Sequence, residues 1–213
     1  MHNARKRTAV HLNGSFVTGI ILAIRGDSQM LDTVKDWLED LAIVANHKKE
    51  QARINGEGYT WYSSQKNKDI KRKFSQEGEK LASNGRRIAA RSSGDSTGGE
   101  WLYDFTLREF DENNRFFGVP LAAEIELSDP KPRGLIYDFN KLLQSDADNK
   151  VFIFQQKYAF EFKNMIRYFD SSFYAYNHKL KSKFLVACWL TSKYEFTYKF
   201  YSGAKSNHWE RAL

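Results

Sequence analysis

Asp104, Glu124 and Glu126 are acids whose spacing suits metal chemistry. They fall in two stretches that read as neighbouring strands, EWLYDFTLREF (100–110) and FGVPLAAEIEL (117–127). Side chains alternate across a strand, so Glu100, Leu102, Asp104 and Thr106 share one side, while Trp101, Tyr103, Phe105 and Leu107 take the other. On the next strand Glu124 and Glu126 point one way, and Leu121, Ala123, Ile125 and Leu127 point the opposite way. Pairing of the two strands gathers Asp104, Glu124 and Glu126, with Glu100 at the margin. Carboxylates held so close raise one another's pKa or call for a cation between them. Hard divalent ions such as Mg²⁺ or Mn²⁺ take oxygen ligands, often one or two carboxylates plus phosphate oxygens. Such an ion can activate water and stabilise charge on a phosphate, which is the chemistry of phosphodiester hydrolysis. The competing reading of an acid-x-acid strand is an exposed face paired with lysines across the sheet.

The elements that must position these acids are legible as patterns. Leu31, Val34, Trp37, Leu38, Leu41 and Val44 recur at helical spacing over 30–45, and Ile70, Phe74 and Leu81 do so over 68–83. Glu77 lies seven residues after Ile70 and four before Leu81, so an acid sits on that second apolar stripe. RRIAARS (86–92), the turn SGDSTGG, residues 100–110, the turn DENNR and residues 117–127 read as an antiparallel meander. Residues 135–146 read as a helix with Ile136, Phe139, Leu142 and Leu143 on one face. VFIF (151–154) reads as a strand buried on both sides, as in parallel pairing. A helical stripe from Phe162 to Tyr176 and strands at FLVACWL and EFTYKFY complete the chain.

Helix, three strands, helix, strand, with an acid in the second strand and an acid-x-acid pair in the third, resembles the restriction-endonuclease-like core of the PD-(D/E)XK superfamily over about residues 68–157. The resemblance implies an α/β fold with that core, a crossover helix leading to a parallel strand, and added N- and C-terminal elements. Chain length and the lack of an internal repeat or low-complexity linker point to one domain over 28–213, preceded by an arm or edge segment at 1–27. The resemblance further implies a metal-dependent nuclease in which Asp104 is the first acid, Glu124 the second, and Glu126 stands where the family carries lysine. Glu77 matches an acid that many members place on the first helix. Some members supply the lysine from the following helix, and Lys141 in YDFNKLL matches that position. At 100° per residue, however, Lys141 lies almost opposite the Ile136/Phe139/Leu143 stripe, and Gln155 and Lys157 stand in reserve.

Charge agrees with a polyanionic partner, DNA being the expected one. The 213 residues carry a formal +7, yet residues 100–148 hold 11 acids against 5 bases, so the remainder is strongly basic. Lys66, Lys68, Lys71, Arg72 and Lys73, with Arg86, Arg87 and Arg91 after them, form a candidate phosphate-contacting face. KYEFTYKFYSGAKSNHW interleaves rings with lysines, and an aromatic edge hairpin accounts for it better than a single-strand-binding platform. The single cysteine, Cys188, excludes an internal disulfide and favours a reducing, cytoplasmic setting. The apolar run FVTGIILAI, ended by Arg25 and Asp27, is too short to cross a bilayer, so no membrane association is expected. His2, His11, His47, His178 and His208 lack zinc-ligand spacing, and no P-loop, dinucleotide fingerprint or GxSxG elbow appears. Three functions remain: a Mg²⁺- or Mn²⁺-dependent nuclease, a non-catalytic relative that binds nucleic acid or protein, and a two-carboxylate glycosidase that the basic charge does not favour. Whether a homodimer cuts both strands is left open by sequence.

Overall fold

The computed structural model describes residues 29–82, 85–92, 102–178 and 183–202. The arm at 1–27, Glu100, Trp101 and the last residues of the aromatic C-terminal stretch lie outside the described residues. Helix α1 (Gln29–Ile54) buries Leu31, Val34, Trp37, Leu38, Ala42 and Ala45, the periodic stripe that burial of one helix face requires. Helix α2 (Ser63–Gly78) starts earlier than its spacing suggests and closes in a 3₁₀ turn at Glu79–Leu81. Six strands follow: β1 (Arg87–Ser92), β2 (Phe105–Phe110), β3 (Phe116–Glu126), β4 (Asn149–Gln156), β5 (Lys183–Leu190) and β6 (Glu195–Ser202). Helix α3 (Pro132–Leu143) joins β3 to β4, and α4 (Ala159–Ala175) joins β4 to β5.

The strands form one mixed sheet in the order β1-β2-β3-β4-β5-β6. β1, β2 and β3 are antiparallel, β4 lies parallel to β3 and to β5, and β6 returns antiparallel to β5. The expected meander is therefore one edge of a larger mixed sheet. The parallel steps arise because α3 and α4 each carry the chain back to the starting end, as a crossover must. β5 and β6 make the expected aromatic hairpin at the opposite edge.

Helices cover both faces, which is why the central strands are apolar throughout. On one face α1 and α2 pack over Phe105, Leu107, Leu121, Ala123, Ile125, Val151, Ile153 and Leu185. On the other, α3 and α4 pack over Ala122, Phe152, Phe154, Phe184 and Val186. Phe139 of α3 stacks on Phe169 of α4 at 4.6 Å and meets Phe152 edge-on, tying both helices to β4. Gly78 lets α2 end tightly against the sheet, since a Cβ there would stand 2.5 Å from Leu107 Cδ2. Cys188 is buried, as its apolar run suggests, and burial pushes its thiol pKa up. Among the described residues no helix is long and apolar enough to cross a membrane.

Lys66 departs from the sequence reading. It belongs to none of the exposed helix faces: it is 1% exposed, its Nζ donates to Gln155 Oε1 at 2.7 Å, and it lies over the rings of Trp61 and Trp189. Lys66, Ile70 and Phe74 are spaced four residues apart, so the lysine occupies the first position of the core stripe. Its stem is buried with the stripe and carries the amine inside.

Candidate functional site

β1 ends at Ser92, β2 begins at Phe105, and β3 ends at Glu126, so all three meet at one end of the sheet. A groove of about 1020 Å³ opens there against α2. Lys68, Lys71 and Arg72 line its helical wall, and Asp104 and Glu126 contribute acids from the sheet. Ser63, Ser92 and Ser128 are among the hydroxyls around it. Lys68, Lys71 and Arg72 share a helix face because residues three and four apart are neighbours.

Asp104 is placed by the strand end rather than by regular strand geometry. The backbone bends ahead of β2, with Leu102 in the left-handed region at φ 67°, and Phe105 then pairs with Ala123. Oδ2 of Asp104 accepts the Ile125 amide at 2.8 Å, and Oδ1 faces Lys71 Nζ at 3.4 Å. Asp104 therefore stands at the lip of the groove.

Glu124 lies on the α3 side of β3, two residues beyond the buried Ala122, and is 4% exposed. Lys141 reaches it from α3, with Nζ 2.7 Å from Oε1, and lies over the Tyr103 ring at 5.4 Å. Burial pushes the Glu124 pKa up to about 7; Asp104 and Asp138 add to the rise, and Lys141 opposes it. Burial alone would lower the Lys141 pKa, but Glu124, Asp104 and Asp138 outweigh it and the net shift is upward. Asp138 is raised by burial and by the charges of Glu126 and Asp104. Asp104, Glu124, Asp138 and Lys141 thus share one electrostatic neighbourhood.

Of the remaining expected acids, Glu126 lines the groove with Asp104 but is engaged by its own turn, and Glu77 is held by lysines of α2 and the turn after it. Glu126 spends Oε1 on its own turn, accepting from Ser128 N (2.7 Å), Ser128 Oγ (2.6 Å) and Asp129 N (2.8 Å). Three donors converge on that oxygen because β3 stops there and leaves its next amides without strand partners. Glu77 does not line the groove: Lys73 and Lys80 hold it, and Lys73 ties it to Asp40 of α1. Glu77 stays in these pairs, while Gly78 is the buried position against Leu107 of the sheet. Glu126→Ala is expected to cost about 1–2 kcal/mol in a urea-unfolding measurement, because three donors lose their acceptor, whereas Glu126→Gln keeps an acceptor and costs under about 1 kcal/mol.

Lys141 reaches Glu124 although its spacing put it opposite the apolar stripe. The buried face of α3 is Leu135, Phe139, Leu142 and Leu143, with Ile136 only partly covered, so the stripe is rotated from the expected one. Lys141 then flanks the core, and its four-carbon stem carries the amine back to β3. Of the reserves, Lys157 lies over Tyr158, and Gln155 braces the groove by donating to Ser63 Oγ and the Leu127 carbonyl. Asp138 was not singled out by sequence, and Lys71 only as one of a basic face. For Asp138 the signal is its place three residues before Lys141, on the same side of one helix.

Asp104 and Glu124, each now paired with a lysine, are the carboxylates that could lend oxygens to a hard divalent ion, since one or two protein carboxylates suffice when water and phosphate complete the shell. The raised Glu124 pKa supports that fit, because a buried carboxyl repelled by a neighbouring acid is stabilised as an anion by a bound cation. Among the described residues no group of three His, Cys, Asp or Glu is placed to hold an ion alone. Comparisons with protein-family models, with curated proteins and with solved structures find no match to this chain.

Proposed function

We propose that the chain is a metal-dependent nuclease, with a restriction-endonuclease-like core formed by α2, β1 to β3, α3 and β4, and DNA as its substrate. One observation carries the reading: Asp104 lines a groove whose helical wall presents Lys68, Lys71 and Arg72, and its charge is felt by the Glu124–Lys141 pair on the α3 side of β3. Those cations suit a phosphate backbone, and the acids suit Mg²⁺ or Mn²⁺. A bound ion would supply an activated water and neutralise charge on the phosphate. The chain's own residues divide the rest. Asp104 is fixed by the Ile125 amide and presents its other oxygen beside Lys71. Lys141 keeps its proton and can donate to a phosphate oxygen or orient water beside Glu124. Glu124, with a pKa of about 7, is poised to change protonation near neutral pH.

Cleavage of supercoiled plasmid in Mg²⁺ or Mn²⁺, with and without EDTA, tests the proposal. Asp104→Asn is expected to lower the cleavage rate by roughly a hundredfold or more, the scale on which removal of a charge-stabilising group acts. Metal-independent cleavage, or full activity in the variant, would overturn it. A second reading, a non-catalytic relative that binds nucleic acid, draws on the pairing of Asp104 with Lys71, of Glu124 with Lys141, and on Glu126 serving its turn. Salt-dependent DNA binding with no cleavage under either ion would select that reading.

A further inference from the structure

Strand register places three arginines together on the sheet face opposite α2. Ile88 and Ala90 of β1 and Phe105 and Leu107 of β2 point into the core under α1 and α2. Alternation therefore sends Arg87 and Arg91, with Thr106, Arg108 and Phe110, to the other face. On that face α3 packs on β3 and β4, and α4 on β4, toward the middle of the sheet and away from β1. Arg91 is paired with Thr106, Ala89 with Arg108, and Arg87 with Phe110, so Arg91, Arg108 and Arg87 descend in a zigzag across two strands. Diagonal neighbours of this kind stand about 7–8 Å apart, comparable with the separation of successive phosphates along one strand of nucleic acid. The zigzag begins one row from Glu124: Arg91 shares its row with Thr106 and Ala122, and Glu124 lies two residues beyond Ala122 on the same face.

Phe110 carries two of the guanidiniums, Arg87 at 4.5 Å and Arg108 at 5.6 Å from its ring centre, and Arg87 also donates to Asn114 Oδ1 at 2.7 Å. Burial and then the charges of Arg91 and Arg87 lower the Arg108 pKa, so the three guanidiniums sense one another. Arg91 and Arg108 also have interactions within the chain, and register fixes their place whatever else they touch. Like charges side by side on neighbouring strands oppose folding, while a line of phosphates complements them.

Resting on the nuclease reading, we propose that Arg91, Arg108 and Arg87 form a track for the phosphate backbone of a nucleic-acid polymer, holding the strand that flanks the reacting diester. The track gives affinity without base choice, because guanidinium contacts to phosphate carry no sequence information.

The test measures binding of a fluorescein-labelled DNA duplex to the full chain by anisotropy across a salt series, without divalent ion. The Arg91→Gln, Arg108→Gln double variant is expected to bind roughly tenfold weaker, with a salt slope reduced by about 2. Binding is scored at a temperature where circular dichroism shows the variant folded. Arg87→Gln, exposed and outside the core, is expected to reduce the slope by about 1. Hydrolysis of bis(4-nitrophenyl) phosphate, too small to reach the track, is expected to be unchanged in both variants. An unchanged affinity and slope in the folded variants would overturn the track, as would a wild-type chain that does not bind the duplex, or one that binds phosphatidylserine vesicles in preference to it. If neither diester is cleaved while arginine-dependent duplex binding persists, the nuclease reading fails and the track stands. If DNA is cleaved and the variants bind like wild type, the reverse holds.

Discussion

Glu124→Gln is expected to remove metal-dependent cleavage and, in the same protein, to raise stability at neutral and alkaline pH. Loss of activity follows from the site: a glutamine side chain keeps the shape but removes the charge of one of the two carboxylates that suit an ion, and a fall of roughly a thousandfold in kcat/KM is the expected scale. The gain in stability follows from burial. Glu124 titrates at about 7 in the folded protein, against an ordinary 4.5. Between those pH values the folded state holds a proton that the unfolded chain has released, so stability falls as pH rises through the window. Above pH 7 the full cost applies, and removing the charge is expected to return about 1–3 kcal/mol, the upper figure being the whole shift converted at 1.36 kcal/mol per unit. The advantage of the variant is expected to narrow as pH falls through the window and to vanish only below 4.5, where the wild-type carboxyl becomes protonated in both states. Urea unfolding at pH 5 and pH 8, beside the plasmid assay, reads both effects. A variant that is inactive and also less stable at pH 8 would identify the Glu124–Lys141 pair as a structural tie.

Lys66→Met carries the second large effect, and its pH dependence has the opposite sign. Burial lowers the Lys66 pKa from 10.5 to about 8, with no carboxylate among the groups that shift it. Between pH 8 and 10.5 the unfolded chain holds a proton that the folded chain has lost, so wild-type stability rises with pH across that window. Below pH 8 the buried ammonium carries its full cost, about 3 kcal/mol by the same conversion. Methionine matches the stem and brings no charge, so the variant is expected to be about 1–3 kcal/mol more stable at pH 7, with the gap closing by about pH 10.5. Loss of the bond to Gln155 and of the contacts with Trp61 and Trp189 sets the discount. Denaturant unfolding at pH 7 and pH 10 is the measurement. A variant that is destabilised at pH 7 would show that the amine's partners outweigh its desolvation, and would make Lys66 an anchor for the Gln155 brace at the groove.

Both expectations share a cause. Each concerns an ionisable group that strand or helix geometry carries out of water beside the groove, where dipoles and neighbouring charges act more strongly than at the surface. Functional sites commonly hold such groups at a cost in stability. Glu77, paired with Lys73 and Lys80, contributes no comparable effect, because surface pairs of this kind are weak and screened by salt.

Local pattern determined the elements of this protein. Alternation set the faces of β2 and β3, helical spacing located α1, α3 and α4, and the continuous apolar run VFIF marked the strand that parallel neighbours cover on both sides. Those features depend on periods of two and 3.6 residues, and a period is written in the sequence. Tertiary structure decided which acids meet. Asp104 and Glu124 come together because Phe105 pairs with Ala123, Glu126 is taken by a turn that begins where pairing ends, and Glu77 is held by Lys73 and Lys80. It also decided that Lys141 reaches β3 and that Lys66 is buried, since a helix's rotation about its axis is set by the neighbours it packs against. A charge shows its type in the sequence, but its pKa and partners depend on water excluded and charges approached across the fold.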